Sequence, residues 1–128
     1  MAKKILVIDD EEIITKSLQK LLKKEGYNVV IAASGQEAIK KIKETDFDLI
    51  VSDVRMPQMD GIEAIEGIRR YLKEQGKPPI PEVLITGYAN EDSYKRALEL
   101  KVTDYIYKPF DIKEFVDTIK KNLDVAKE

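Results

Sequence analysis

Short apolar runs and longer segments of helical period alternate along this chain from end to end. Ile5-Leu6-Val7-Ile8, Tyr27 to Ala32, Phe47 to Asp53, Val83-Leu84-Ile85-Thr86 and Tyr105-Ile106-Tyr107 read as strands, because brief runs rich in β-branched and aromatic residues suit a pleated surface. Between them apolar residues recur every three or four positions. The first helix is predicted over roughly Glu12 to Lys24, with Ile14, Leu18, Leu21 and Leu22 on one stripe and Gly26 as its stop. Ser34-Gly35-Gln36-Glu37 has the form of a capping box, opening a second helix with Ala38, Ile39 and Ile42 on its inner face. A third helix follows Gly61, with Ile62, Ile65, Ile68 and Leu72 in phase.

The proline-rich stretch from Gly76 to Pro81 cannot be helical and serves as the loop into the fourth strand. A fourth helix, starting near Asn90, offers only Tyr94, Ala97, Leu98 and Leu100 for burial. The fifth, from Asp111, carries a full stripe of Ile112, Phe115, Val116, Ile119 and Leu123. Strict alternation of five strands and five helices predicts an α/β protein with a doubly wound parallel sheet, right-handed crossovers and helices on both faces. With no linker or repeat, residues 1–128 are expected to form a single domain.

In such a sheet the carboxyl ends of the strands share one edge, where ligands bind. Asp9 and Asp10 close the first strand, Asp53 the third and Thr86 the fourth, and Lys108 follows the fifth. Three carboxylates, a hydroxyl and an ammonium are therefore expected in one cleft. Each has a plainer reading: Asp9 and Asp10 as caps of the first helix, Asp53 as a turn residue. Gathered together, however, carboxylates repel one another, and such clusters mark a divalent cation or a shared proton.

Composition narrows the chemistry. Cysteine and histidine are both absent, which removes thiolate chemistry, disulfides, the commonest general base and the nitrogen and sulfur ligands of zinc. A metal here must take oxygen ligands, which favours Mg²⁺, Mn²⁺ or Ca²⁺. The net charge is −2, with 22 basic and 24 acidic residues spread along the length. No basic face is expected, and so no direct contact with nucleic acid. Met1-Ala2-Lys3-Lys4 runs straight into a strand, and no apolar stretch is long enough to span a bilayer; a cytoplasmic location is the expectation, with no membrane partner.

The motifs Ile-Leu-Val-Ile-Asp9-Asp10-Glu, Asp53-Val-Arg-Met-Pro57-Gln-Met-Asp60-Gly61, Thr86-Gly87 and Lys108-Pro109-Phe110 stand in this order from Lys4 to about Leu123. Together they resemble the receiver domains of bacterial two-component response regulators, the group typified by the chemotaxis regulator. The resemblance implies a flavodoxin-like sheet of order 2-1-3-4-5. It implies that Asp53 takes a phosphoryl group from a phosphohistidine on a sensor histidine kinase or a histidine phosphotransfer protein. It further implies Mg²⁺ on Asp9, Asp10, Asp53 and the backbone carbonyl of Arg55, with Lys108 and Thr86 as donors to phosphoryl oxygens. A cis Lys108-Pro109 bond is expected with it. Thr86 and Tyr105 would form the switch, read on the face of the fourth helix, fifth strand and fifth helix. Tyr107 is expected to serve mostly in packing.

Three further residues are singled out, Arg55 and Tyr88 being the individual features of this site. Arg55 and Tyr88 are expected to flank the phosphorylation site and slow the loss of the phosphoryl group, unless both are simply exposed loop side chains. Ile13 lies off the buried stripe of the first helix and is a candidate contact for the kinase. The output is left open: an unknown protein partner, a further domain, or a dimer formed on phosphorylation.

Rival readings fare less well. An aspartyl phosphatase of the haloacid-dehalogenase type needs a second acid where Arg55 stands. A flavodoxin-like nucleotide binder needs a glycine- and hydroxyl-rich loop where Asp9-Asp10-Glu11-Glu12 stands. A receiver that is never phosphorylated would not need the complete set of site residues.

Overall fold

The computed structural model describes residues 2–56, 58–87 and 91–127, with side chains throughout these except in 91–94 and 124–127. Its elements are β1 (Lys4–Ile8), α1 (Glu12–Lys24), β2 (Asn28–Ala32), α2 (Gly35–Glu44), β3 (Leu49–Asp53), α3 (Gly61–Glu74), β4 (Glu82–Thr86), α4 (Glu91–Leu100), β5 (Asp104–Tyr107) and α5 (Ile112–Lys127). The five strands are parallel in the order β2-β1-β3-β4-β5. β2 and β3 begin one and two residues later than the apolar pattern suggests. Expectations resting on Pro57, Tyr88, Asn90 and the Tyr94 side chain lie outside what is described.

The central strands are apolar on both sides because both sides are covered. Ile5 and Val7 pack with Leu18 and Leu22 of α1 and Phe115 and Ile119 of α5. Leu6, Ile8 and Ile50 pack with Ala38 and Ile42 of α2 and Ile68 and Leu72 of α3. A smaller cluster joins Ile62 and Ile65 of α3 to Leu84 and to Ala97 of α4. Ala97 is the one buried residue among the described side chains of α4.

Several expectations about exposure are corrected. Ile112 is 66% exposed and Leu98 43% exposed, so neither belongs to a buried stripe. Ile112 opens α5; Asp111 precedes it as the cap, its Oδ1 accepting from the Glu114 amide at 2.7 Å. Tyr107 is 47% exposed and stacks on Tyr105, ring centroids 6.3 Å apart, so its ring is packed on one side and partly open to solvent.

The helix starts are also more varied than their sequences suggest. Ser34 accepts from the Glu37 amide as expected, but Glu37 reaches back to Ala33 rather than to Ser34. The full reciprocal box is at α3, where Asp60 Oδ1 accepts from the Glu63 amide at 2.9 Å and Glu63 accepts from the Asp60 amide at 3.2 Å. Glu11, not Asp9 or Asp10, occupies the cap position of α1, and it makes no side-chain cap bond.

Candidate functional site

Parallel pairing brings the strand ends level. Ile8 pairs with Ser52, Asp53 with Ile85 and Thr86 with Tyr107. The chain then leaves each strand with its ladder still partly bonded: the Asp9 amide donates to Ala32, Val54 to Ile85 and Lys108 to Thr86. These bonds hold the residues that follow the strands in fixed register around a cleft of about 1080 Å³. Asp9, Asp10, Asp53, Arg55 and Lys108 all line it, as does Asp60.

The carboxylates of Asp9, Asp10 and Asp53 each place an oxygen within 4.8 Å of the others. Asp9 and Asp53 are buried, and Asp10 is exposed. Lys108 Nζ lies 3.2 Å from Asp53 Oδ2, and the Lys108-Pro109 bond is cis, as expected. Asp53 Oδ1 accepts from the Arg55 amide at 3.3 Å. Asp9 Oδ1 accepts from the Glu11 amide at 3.0 Å, whereas its Oδ2 is enclosed with no partner among the described residues. Burial is the main reason the Asp9 carboxyl is pushed up from 3.8 to about 6. The Glu11 amide works against that shift, the Asp53 charge adds to it, and Lys108 partly offsets it.

A buried carboxylate oxygen without a partner is costly, and two further carboxylates beside it raise that cost. A hard cation with oxygen preference relieves both at once, so the donor set fits a divalent ion of that class. The Thr86 hydroxyl is likewise enclosed with no partner among the described residues, and Thr86 is not among the described residues lining the cleft. Tyr105 is half-buried, with its Oη donating to the Ala97 carbonyl of α4 at 2.8 Å. Ile13 is 82% exposed on α1, next to Ile14, which lines the cleft. Arg55 is exposed at the rim.

Two residues of this region escaped the reading of the sequence. Asp60 was seen only as part of a motif, although the spacing of Asp60 and Glu63 is a helix-start signal in its own right. Arg96 of α4 pairs with it, Nη1 to Oδ2 at 3.0 Å, a contact across 36 positions that no local pattern announces.

Comparison with known proteins agrees with this geometry. Residues 5–120 match the family model described as the response regulator receiver domain. The chain is 38% identical over 119 residues to the transcriptional regulatory protein ZraR of Escherichia coli, covering 93% of this chain and 26% of that protein. It is 42% identical over 120 residues to the alkaline phosphatase synthesis transcriptional regulatory protein PhoP of Bacillus subtilis, covering 94% and 48%. It thus spans between about a quarter and a half of these curated relatives. Among solved structures, a CheY-like response regulator receiver domain protein of Methanospirillum hungatei superposes with a TM-score of 0.87 at 31% identity, covering 99% and 98% of the two chains. The signal receiver domain of a histidine kinase from Syntrophus aciditrophicus gives 0.86 at 32%, covering 99% and 94%. With the acidic cleft, the strand order and the length of the match in agreement, the chain belongs to the response regulator receiver domain family.

Proposed function

We propose that this chain, as one receiver domain over residues 1–128, accepts a phosphoryl group on Asp53 from a phosphohistidine of a sensor kinase or phosphotransfer protein. The observation that carries this reading is the juxtaposition of Asp53 with the Lys108 ammonium at 3.2 Å and with two further carboxylates. Asp53 is the nucleophile: a carboxylate oxygen attacks phosphorus, the P–N bond breaks, and the imidazole leaves with the electron pair. Asp9, Asp10 and Asp53, with the Arg55 carbonyl, would hold Mg²⁺, which when bound offsets the repulsion between the carboxylate and the phosphoryl oxygens.

Lys108 holds its charge where a phosphoryl oxygen arrives and keeps the Asp53 oxygen oriented. The Arg55 amide holds the second Asp53 oxygen, leaving the first to attack. This division of labour supplies position and electrostatics rather than covalent chemistry, which suits phosphoryl transfer. Thr86, with an enclosed hydroxyl lacking a partner among the described residues, gains an acceptor when the phosphoryl group is in place. Its movement and that of Tyr105 then alter the α4-β5-α5 face, on which Leu98, Tyr107 and Ile112 are exposed. The output partner, whether another protein, a further domain or a second copy, reads that face. Among the described residues no helix is long and apolar enough to cross a membrane, and a cytoplasmic setting fits the kinase partner.

The test is intact mass after incubation with acetyl phosphate, with and without Mg²⁺, for the wild type and Asp53→Asn. A Mg²⁺-dependent gain of one phosphoryl group, lost in the variant and labile to hydroxylamine, is expected. The absence of any gain in the wild type would overturn the reading.

A further inference from the structure

We propose that the Arg96–Asp60 ion pair is a latch that holds α4 in the unphosphorylated arrangement and so opposes phosphoryl binding; this rests on Asp53 being the acceptor.

α4 is tied down very unevenly. At its C-terminal end, Arg69 of α3 donates to the Leu100 carbonyl at 2.8 Å and to the Lys101 carbonyl at 3.5 Å. Arg69 is itself fixed by the buried Glu82 carboxylate, with Nε to Oε2 at 2.9 Å. α4 has no basic residue in its own last turn, so the guanidinium borrowed from α3 supplies the cation that a helix C-terminus favours. Ahead of that anchor, apolar burial is thin, with Ala97 the one buried residue among the described side chains of the helix. A segment with as few buried contacts as residues 95–100 moves at low cost. Besides the Tyr105 Oη bond to the Ala97 carbonyl at 2.8 Å, a charge-assisted tie ahead of that anchor therefore gains weight.

Arg96 makes that tie, and its partner is well chosen to report on the site. Asp60 lines the cleft. It also caps α3 through its other oxygen, so it is held in place whether or not Arg96 is bound. α3 in turn abuts the acceptor: the Gly61 amide donates to the Val54 carbonyl at 2.9 Å, and a side chain at Gly61 would strike the Asp53 backbone. The tie therefore runs from α4 to the floor of the phosphorylation site. On the other side, four residues separate Thr86 from the start of α4. A shift of Thr86 towards a phosphoryl oxygen pulls on α4, and the latch resists the pull. By linkage, releasing the latch must favour the phosphoryl-bound state by the same factor that phosphoryl binding weakens the latch.

The sign of the effect separates this from a simple charge effect. Arg96 is a cation near an anion-binding cleft, so direct electrostatics makes Arg96→Gln weaken anion binding. A latch makes the same substitution strengthen it. An exposed ion pair is worth little, which bounds the gain at about two- to fivefold.

The experiment is titration of the Mg²⁺-loaded protein with beryllofluoride, a stable phosphoryl mimic, followed by NMR shifts of the Gly87 and Lys108 amides. Variants are Arg96→Gln, Asp60→Asn (which retains a capping oxygen) and the double substitution. Arg96→Gln is expected to bind about two- to fivefold more tightly, and the double variant no more tightly than Asp60→Asn alone. Equal or weaker binding by Arg96→Gln, or independent effects in the double variant, would overturn the latch. Failure of the wild type to bind would instead overturn the acceptor reading on which it rests.

Discussion

Gly61 packs directly against the backbone carbonyl of Asp53, with no space between them for a Cβ. The first residue of α3 is thus part of the floor beneath the acceptor, and the Ser52 hydroxyl closes the same space at 2.8 Å from where a Cβ would stand. Gly61→Ala must displace either β3's last residue or the start of α3. We expect a loss of about 1–3 kcal/mol in urea unfolding. Phosphorylation by acetyl phosphate should fall in parallel, because the Asp53 carboxylate moves with its backbone.

The Asp9 carboxyl contributes to the pH dependence of the metal-free protein. Its folded value of about 6 lies above the ordinary 3.8, so between these pH values the folded state binds a proton that the unfolded chain has released. Stability from this group is therefore full below about pH 4 and is lost as pH rises through about 6, by roughly 3 kcal/mol in all. Thermal unfolding in EDTA from pH 4 to 7 should show this fall in the wild type relative to Asp9→Asn. Added Mg²⁺ should lessen it.

Lys108→Ala removes the ammonium that faces Asp53 Oδ2 at 3.2 Å. Transfer from acetyl phosphate should slow on the order of 100-fold, the usual cost of losing one preorganised donor to the reacting group. Affinity for Mg²⁺ should rise at the same time, because the acidic cluster loses its compensating charge. Calorimetric titration of the metal, read beside the mass assay, separates these opposite effects from general unfolding, which would lower both.

Arg69 carries structural weight that its partial exposure conceals. Removing it in Arg69→Ala leaves Glu82 buried without its partner and uncaps the end of α4. A loss of about 2–3 kcal/mol is expected from chemical unfolding. Replacing both partners, as Arg69→Met with Glu82→Leu, should recover much of it, since the buried charge is then gone.

Ile13 tests the kinase-facing surface. It is 82% exposed, so Ile13→Ala should leave stability within about 0.5 kcal/mol. Transfer from a phosphorylated histidine donor protein should slow while transfer from acetyl phosphate is unchanged. Equal slowing of both would rule out docking through this residue.

Much of this molecule was legible from the chain alone, for local reasons. Alternating periods of two and three to four residues report which sides of an element are buried, so the strands, the helices and the stripes of α1 and α3 could be read in place. The parallel arrangement that follows from their alternation sends Asp9, Asp10, Asp53, Thr86 and Lys108 to one edge. The order of the strands came from the resemblance to receiver domains, not from periodicity. Ile112 and Leu98 misled because periodicity identifies a stripe but not how wide a strip of it the neighbouring elements cover; Leu98 is exposed beside the buried Ala97, and Ile112 is exposed at the first position of α5.

The sequence by itself determined the element order, the faces of the central strands and the acidic, oxygen-only chemistry of the cleft, because these follow from residue type and spacing within a few positions. Only the tertiary structure decided that Arg69 caps the end of α4 across 31 positions, that Arg96 reaches Asp60 across 36, and that Thr86 is enclosed without a partner among the described residues. Those contacts depend on where helices cross and how closely strand ends approach, distances set by packing of the whole core rather than by any local run of residues.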